Sequence, residues 1–413
     1  MSWISFSCAT EPGMSRHTRS HGTMSRLRQI LNREFDQLCD HDYNREIQIP
    51  RFLLSSVGVW PEPGGSNTIK FIISMTAVTL FSFLSRFIAL FFIVNDNKYF
   101  YYIGSTAYRF YVIVLMLLLR FSPKAPQSIL TAMYGNLKSS RSTEDREVMR
   151  YYAAYSRKLS IIIFAAFVGI FVITWLNIII ATTVGSENLR ARADVMNYPF
   201  LPSSQIFDAL SIIVFMAATA ISCAPTAGIE IFYAVCISHT CGQLVILRNR
   251  VAAYEGVIRH QFGDDIPRMC SCLKCIVDSH VAIGDFVGRI NSHFNVVMLM
   301  RLIAGGIVMI CSGFEVSKAI VKSSYADFMM FFIFSFIPFL TVFINCSLAD
   351  MCQQASYAVG DAAYSTDWMT KHPSHRRNLM LIINYARMPL KFTTGNYFVV
   401  CRGHFKDVSS LIN

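Results

Sequence analysis

Apolar residues gather in six stretches, each long enough for a helix to cross a hydrocarbon core about 30 Å thick. These stretches contain few charged residues, and polar, charge-rich segments separate most of them. They cover residues 69–94, 103–121, 159–184, 207–238, 294–316 and 328–344. Because runs of this length and composition are typical of transmembrane helices, the pattern predicts an all-α, polytopic membrane protein with six complete spans.

Lys and Arg alternate between the segments that flank the predicted spans. Seven lie before the first span, one in the next connection, seven in the connection after that and two in the following one. The remaining segments contain six, two and, up to residue 397, five. Since cytoplasmic segments are enriched in Lys and Arg, the amino terminus is predicted to be cytoplasmic. This orientation is opposite to that of a G-protein-coupled receptor.

Composition agrees with a membrane protein. Hydrophobic residues make up 53% of the 413 residues and charged residues only 15%, and the mean hydropathy is +0.41. The net charge of +11 is explained by cytoplasmic Lys and Arg beside anionic lipid headgroups, so no nucleic-acid partner is expected. None of the twelve cysteines lies in a segment predicted to be external, so reduced thiols are expected rather than disulfides.

Two ionisable residues of opposite charge lie at similar depths in neighbouring predicted spans. Glu230 is about two turns from the cytoplasmic end of the fourth span, and Arg301 is at a corresponding position in the fifth. An isolated charge within lipid is costly, so the two side chains are candidates for an intramembrane ion pair. The alternative is that each side chain extends separately toward the headgroups.

Catalytic and metal-binding motifs are not evident. The sequence has no phosphate-cradling glycine loop, nucleophile elbow or His-Glu-x-x-His motif, so neither an enzyme nor a cofactor is predicted. Soft metal ligands occur in two groups, His239 with Cys241, and Cys270, Cys272 and Cys275 with His280. The second group contains three thiols without a clear fourth ligand, and neither group has the two Cys-x-x-Cys pairs of a structural zinc site, so reduced cytoplasmic thiols are favoured over a metal.

Four short motifs outside the apolar cores suggest a family. They are Gly58-Val59-Trp60-Pro61, the run His-Thr-Cys-Gly-Gln-Leu at 239–244, Ala362-Ala363-Tyr364 with Trp368, and Pro-Leu-Lys-Phe-Thr-Thr-Gly-Asn-Tyr-Phe at 389–398. Together they resemble the pattern of insect odorant receptors. Trp60, just before the first span, is also a residue type that suits the headgroup interface.

The resemblance implies an odorant receptor subunit in the plasma membrane of sensory neurons. Such a subunit binds a small volatile ligand and gates a non-selective cation channel as a hetero-tetramer with the odorant co-receptor. In that family an apolar pocket lies in the outer half, between the second, third, fourth and sixth spans. The candidate ligand-binding residues are Tyr108, Tyr111, Gly169, Phe171, Trp175, Asn177, Phe207, Leu210, Val214 and Phe332.

Two of these assignments have alternatives. Tyr108 and Tyr111 follow an aromatic cluster at the outer end of the second span, and all of these rings suit an interfacial aromatic belt. Asn177 within the third span is equally suited to hydrogen bonding between helices.

The resemblance also implies a cytoplasmic anchor that holds subunits together. The residues assigned to it are His239, Cys241, Gln243, Leu244, Tyr364, Trp368, Pro389, Lys391, Gly395 and Phe398. The chain is accordingly divided into a cytoplasmic segment (1–68), a six-helix ligand-binding region (69–350), and an anchor with the last helix (351–413). Residues 1–23 are predicted to be disordered and residues 24–39 to form an amphipathic surface helix.

The last helix departs from the family pattern. Residues 398–413 include Arg402, His404, Lys406 and Asp407, and sixteen residues at 1.5 Å each give only ~24 Å of helix. The seventh helix is therefore predicted to be incomplete, with weak pore formation.

Two other functions compete with this interpretation. A gustatory receptor shares the architecture, but the Thr-Tyr-x5-Gln-Phe ending of that family is not present. A small-molecule transporter is the alternative of a different class. Transporters often contain internal repeats with interrupted helices at mid-membrane, and no such repeat is evident in the sequence.

Overall fold

The computed structural model describes residues 18–61, 65–92, 99–140, 142–184, 205–257, 271–370 and 372–403. This part of the chain forms ten α-helices, one π-helix and a two-stranded antiparallel hairpin. The α-helices are α1 Thr18–Ser56, α2 Gly65–Thr76, α3 Ser85–Phe92, α4 Tyr99–Phe121, α5 Lys124–Ser139, α6 Thr143–Val184, α7 Gln205–Ala252, α8 Leu273–Val321, α9 Tyr325–Ser365 and α10 Pro373–Ala386. The π-helix, Ala77–Leu84, joins α2 to α3, and the hairpin consists of β1 Thr393–Thr394 and β2 Phe398–Val399.

Six helical segments among the described residues are long and apolar enough to cross a membrane. The first span is formed by α2, the π-helix and α3, and the others are α4, α6, α7, α8 and α9. With 48 and 49 residues, α7 and α8 are far longer than a hydrocarbon core of about 30 Å requires. Both helices therefore extend beyond the lipid on the side predicted to be cytoplasmic.

The best-packed region lies around the second half of α7. Every residue from 225 to 242 is buried, and α1, α6, α8 and α9 pack around this stretch. By contrast, Ile161, Ile162 and Val168 in the spanning part of α6 are exposed in the isolated chain. Lipid tails are as apolar as these side chains, so the outer parts of the spans need less protein packing.

The amino-terminal helix is longer than predicted. It begins at Thr18, so residues 18–23 are helical rather than disordered, and it continues to Ser56 instead of ending near residue 39. Pro50 lies inside it. Proline lacks the amide hydrogen of one helical bond, but packing of Leu53 and Leu54 into the core holds the last turn of the helix in place.

Trp60, whose residue type suits the headgroup interface, packs into the protein interior. Its side chain is 4% exposed and packs edge-on against Phe232 of α7, with ring centroids 5.8 Å apart. The turn at Gly58 brings the chain back onto the core. Gly58 has a φ of +73°, and a Cβ there would lie 2.3 Å from the Asn67 carbonyl oxygen, so only glycine fits.

The carboxyl-terminal described residues form the hairpin. Thr393 pairs with Val399, and Thr394 pairs with Phe398. Residues 398–403 therefore begin with strand rather than with helix. The rest of the predicted incomplete seventh helix lies outside the described residues.

We expect epitope tags among residues 1–39 or 263–271 to be cytoplasmic, and a tag among residues 186–197 to be external. The reason is the alternation of Lys and Arg between connecting segments. The measurement is antibody staining of intact and permeabilised cells. Staining of the amino-terminal tag in intact cells would contradict the inverted orientation.

Candidate functional site

Two tyrosines of α4 face the protein interior. The Tyr108 hydroxyl lies 3.1 Å from Oγ1 of Thr226 on α7. Tyr111, one turn further along α4, is 4% exposed, and the two ring centroids are 6.4 Å apart. Among the residues that the structure describes, the buried Tyr111 hydroxyl has no hydrogen-bond partner. This geometry favours the inward orientation over an interfacial aromatic belt.

The third span contributes a pair of aromatic rings. The ring centroids of Phe171 and Trp175 on α6 are 5.9 Å apart. Gly169, two residues earlier, has open space where a Cβ would be. The side chain of Asn177 lies outside the described residues, so the choice between a packing role and a ligand role stays open.

The candidates on the fourth and sixth spans are more scattered. Val214 of α7 is half-buried, Leu210 is 53% exposed, and the side chain of Phe207 lies outside the described residues. Phe332 of α9 is 49% exposed and borders an open groove of about 240 Å³ between α8 and α9. That groove is lined by Met309, Gly313, Val316, Phe332, Ser335, Phe336 and Phe339. The structure thus separates Phe332 from the other candidates.

Glu230 and Arg301 meet in an ion pair between α7 and α8. Glu230 also accepts a hydrogen bond of 2.9 Å from Nδ2 of Asn345, and Arg301 donates to Oγ1 of Thr341. Thr341 and Asn345 are one turn apart on α9, so the pair connects three helices. The Glu230 side chain is 1% exposed and that of Arg301 is 14% exposed.

Burial makes this ion pair sensitive to the loss of either partner. Removing a charged side chain from water costs several kcal/mol, and only a well-hydrogen-bonded partner offsets that cost. Asn345 and Thr341 provide the additional hydrogen bonds. The pair is therefore expected to hold α7, α8 and α9 in one relative arrangement.

A second buried polar contact joins the amino-terminal helix to α7. Nδ1 of His239 lies 3.3 Å from Oε1 of Glu46, with the two side chains 0% and 2% exposed. The His239 ring also packs edge-on against Phe286 of α8. Burial, and then the charge of Glu46, raise the pKa of neighbouring Tyr43 to about 12.

Two asparagines of α8 form hydrogen bonds with the segment that contains residues 391–396. Asn291 donates from Nδ2 to the Lys391 carbonyl oxygen at 2.9 Å and accepts from the Thr393 amide at 3.2 Å. One turn further, Oδ1 of Asn295 accepts from the Asn396 amide at 2.8 Å. The Asn295 carbonyl oxygen accepts from the Gly395 amide at 3.2 Å.

Gly395 occupies a position that other residues fit poorly. Its φ is +66°, and a Cβ there would lie 2.9 Å from Cδ2 of Leu299 on α8. Phe392, three residues earlier, is 1% exposed and packs edge-on against Tyr233 of α7, with ring centroids 6.1 Å apart. Residues of the Pro-Leu-Lys-x-Thr-x-Gly motif therefore pack the hairpin against α7 and α8.

The other predicted anchor residues differ in how deeply their side chains are buried. Cys241 and Leu244 are fully buried, and Nε2 of Gln243 donates to Sδ of Met149 at 3.2 Å. Tyr364 and Phe398, by contrast, are 62% and 53% exposed. Lys391 is also exposed, whereas Pro389 and Trp368 are half-buried.

A family model described as 7tm odorant receptor matches residues 93–412, which is more than three quarters of the chain. The chain belongs to the odorant receptor family. Odorant receptor 92a of Drosophila melanogaster is 23% identical over 192 residues, which are 43% of this chain and 45% of that receptor. Odorant receptor Or2 of Anopheles gambiae is 24% identical over 173 residues, which are 40% of this chain and 44% of that receptor. The matched segments thus span less than half the length of these relatives.

The fold is similar to a solved structure of the same family. The olfactory receptor OR5 from Machilis hrabei, in complex with eugenol, has a TM-score of 0.69 and 14% identity, and the match covers 91% of this chain and 96% of that one. The structure of the same receptor without the ligand gives a TM-score of 0.66 at 15% identity. The prediction of a helical, multi-pass membrane protein of the odorant receptor family is confirmed.

Sequence reasoning missed several polar residues of this odorant receptor. Glu46, Asn291, Asn295, Thr341 and Asn345 all bond to residues far away in the chain. A signal was available for four of them. Each pair, Asn291 with Asn295 and Thr341 with Asn345, has a one-turn spacing on a long helix and consists of residue types that are weak helix formers.

Proposed function

We propose that the chain is the ligand-binding subunit of an odorant-gated, non-selective cation channel, assembled with the odorant co-receptor in the plasma membrane of sensory neurons. The observation that carries the proposal is the family match over most of the chain. The basic-residue alternation, which predicts a cytoplasmic amino terminus, and the six spans are consistent with it.

The ligand in this proposal is a small, mainly apolar volatile molecule. The Machilis hrabei relative was solved with eugenol, an aromatic volatile. In this chain the inward-facing Tyr108 and Tyr111, near the middle of the second span, and Phe171 and Trp175 of the third span offer aromatic surface to a ligand. Burial of apolar surface contributes about 25 cal/mol per Å², and the two tyrosine hydroxyls are polar groups suited to orienting the ligand.

The coupling of ligand binding to gating is proposed to run along α7. Thr226, which contacts the Tyr108 hydroxyl, lies one turn before Glu230 on the same helix. Glu230 connects in turn to Arg301 of α8 and Asn345 of α9. A displacement of Tyr108 by a ligand would therefore act on the helix that holds the buried ion pair.

The subunit contacts are proposed to involve only the exposed part of the predicted anchor. The buried residues His239, Cys241 and Leu244 hold the helices of one subunit together and are not available to a partner. Tyr364 and Phe398 are more than half exposed on the side predicted to be cytoplasmic, where no lipid covers them. Exposed aromatic side chains of this kind are typical of protein interfaces.

The test is co-expression of the full chain with the odorant co-receptor, with recording of cation current during application of a panel of volatile compounds that includes eugenol. A ligand-evoked current that is absent from cells with the co-receptor alone would support the proposal. Uptake of a labelled volatile compound without any current, and without need of the co-receptor, would instead indicate a carrier.

A further inference from the structure

A buried arginine lies in the middle of the second span. Arg109 is ten residues from the start of α4 and 7% exposed. Its Nε donates to Oγ of Ser82 at 2.6 Å, and its Nη1 donates to the Ser105 carbonyl oxygen at 3.2 Å. Both acceptors are neutral, so neither balances the positive charge of the guanidinium.

Arg109 and Arg301 differ in the charge of their partners. Arg301 is paired with the carboxylate of Glu230. None of the ion pairs between residues that the structure describes includes Arg109. A buried cation that faces only neutral acceptors attracts an anion strongly, because little water or protein charge screens it.

A second cation lies beside Arg109. The Arg109 guanidinium carbon is 5.5 Å from the ring centroid of Phe215 on α7, and that of Arg86 on α3 is 4.4 Å from the same ring. Arg86 is 1% exposed, and its guanidinium also lies over the rings of Tyr101 and Tyr102, at 5.6 and 6.0 Å. Two guanidinium groups, from the first and second spans, thus lie near one aromatic ring of the fourth span.

The position of Ser82 adds a local feature to this site. Ser82 is fully buried and belongs to the π-helix Ala77–Leu84 of the first span. Short π-helical turns inside α-helices are frequent at functional sites, because they change the direction in which a side chain points. The Ser82 hydroxyl in this π-helix accepts the hydrogen bond from Nε of Arg109.

We propose that Arg109 is the anchor of a binding site for the carboxylate group of a small organic acid, with Phe215 packing against the apolar part of the acid. This proposal rests on the ligand-gated function above and names a ligand class for it. A simple carboxylic acid is ionised at neutral pH, and a planar guanidinium is well matched to a carboxylate. Tyr101 is only partly buried, and its ring is the part of the wall that the ligand displaces on entry.

The test is a binding measurement on the purified full chain, using labelled hexanoic acid with hexanol and methyl hexanoate as uncharged competitors. We expect hexanoic acid to bind and the Arg109→Gln variant to bind it at least about tenfold more weakly, as for loss of a charged hydrogen bond. Arg109→Lys keeps the charge and should retain part of the affinity. Equal binding of the acid by wild type and Arg109→Gln, in protein that elutes as the wild type does in size-exclusion chromatography, would overturn the proposal.

Two further measurements separate the alternatives. Ser82→Ala leaves the charge in place, so its effect on acid binding should be smaller than that of Arg109→Gln. Competition with palmitate distinguishes a small acid from a membrane fatty acid, and displacement of labelled hexanoic acid by palmitate at a far lower concentration than unlabelled hexanoic acid requires would overturn the assignment to small acids. Acid binding without any evoked current would contradict the proposed channel function alone, whereas current evoked only by uncharged volatiles would contradict this site alone.

Discussion

Replacement of Glu230 or Arg301 by alanine is expected to remove most of the protein from the cell surface. Either change leaves the other charge buried without its partner, which typically costs about 3–5 kcal/mol. The Glu230→Ala/Arg301→Ala double variant should recover part of the loss, because it leaves no unpaired charge. Thr341 and Asn345 then remain as neutral groups that can bond to backbone or water.

The measurement is surface biotinylation of each variant, normalised to total protein. Arg248 on α7 is exposed and provides the matched control, since Arg248→Ala should change surface expression little. Strictly additive losses in the double variant would show that the two side chains do not depend on each other.

Replacement of Gly395 by alanine is expected to destabilise the protein by about 2 kcal/mol or more. A non-glycine residue at positive φ costs roughly 1–2 kcal/mol, and the new Cβ would also lie 2.9 Å from Cδ2 of Leu299. Gly395→Asn should lose less, because asparagine tolerates this backbone conformation, but it retains the clash. The hairpin should therefore detach from α8 more readily in both variants.

The measurement is the Tm of purified full chain, which should fall by roughly 2 °C or more for Gly395→Ala. Gly135 lies inside α5 with open space around its Cβ position. Gly135→Ala is therefore the matched control, and its Tm should be unchanged or higher, because alanine is the better helix former. A Tm for Gly395→Ala equal to that of the control would contradict the role assigned to the hairpin.

The spans could be predicted because their signal is local. Each span can be recognised from its own length and its low content of charged residues. The Lys and Arg counts of the connecting segments then predict the orientation of the chain in the membrane. The pairing of Glu230 with Arg301 could also be proposed, because the orientation places both residues at a similar depth. Their hydrogen-bond partners on α9 could not be predicted, since the rotation of α9 about its axis depends on packing along its whole length.

Other contacts could not be predicted for the same reason, which is that they depend on packing between helices. Trp60 has the residue type of an interfacial anchor, but Gly58 turns the chain so that the indole meets Phe232. Which of the predicted anchor residues are buried and which are exposed likewise depends on contacts between α7, α8 and the hairpin. The contact of Arg109 with Ser82 likewise depends on how the first and second spans pack against each other.

Pro225 is a position at which α7 can bend. Proline removes one backbone hydrogen bond in the middle of the helix, and the next residue is Thr226, which contacts Tyr108. Residues 226–252 beyond this joint form a rod ~40 Å long, so a tilt of about 5° at the joint would displace its far end by roughly 3.5 Å. That end carries Arg250, whose Nη2 bonds to Asp145 of α6 at 2.5 Å. Because α1, α6, α8 and α9 pack around residues 225–242, such a tilt could occur only if these helices moved with it, so a motion beside Tyr108 would be passed to several helices at once.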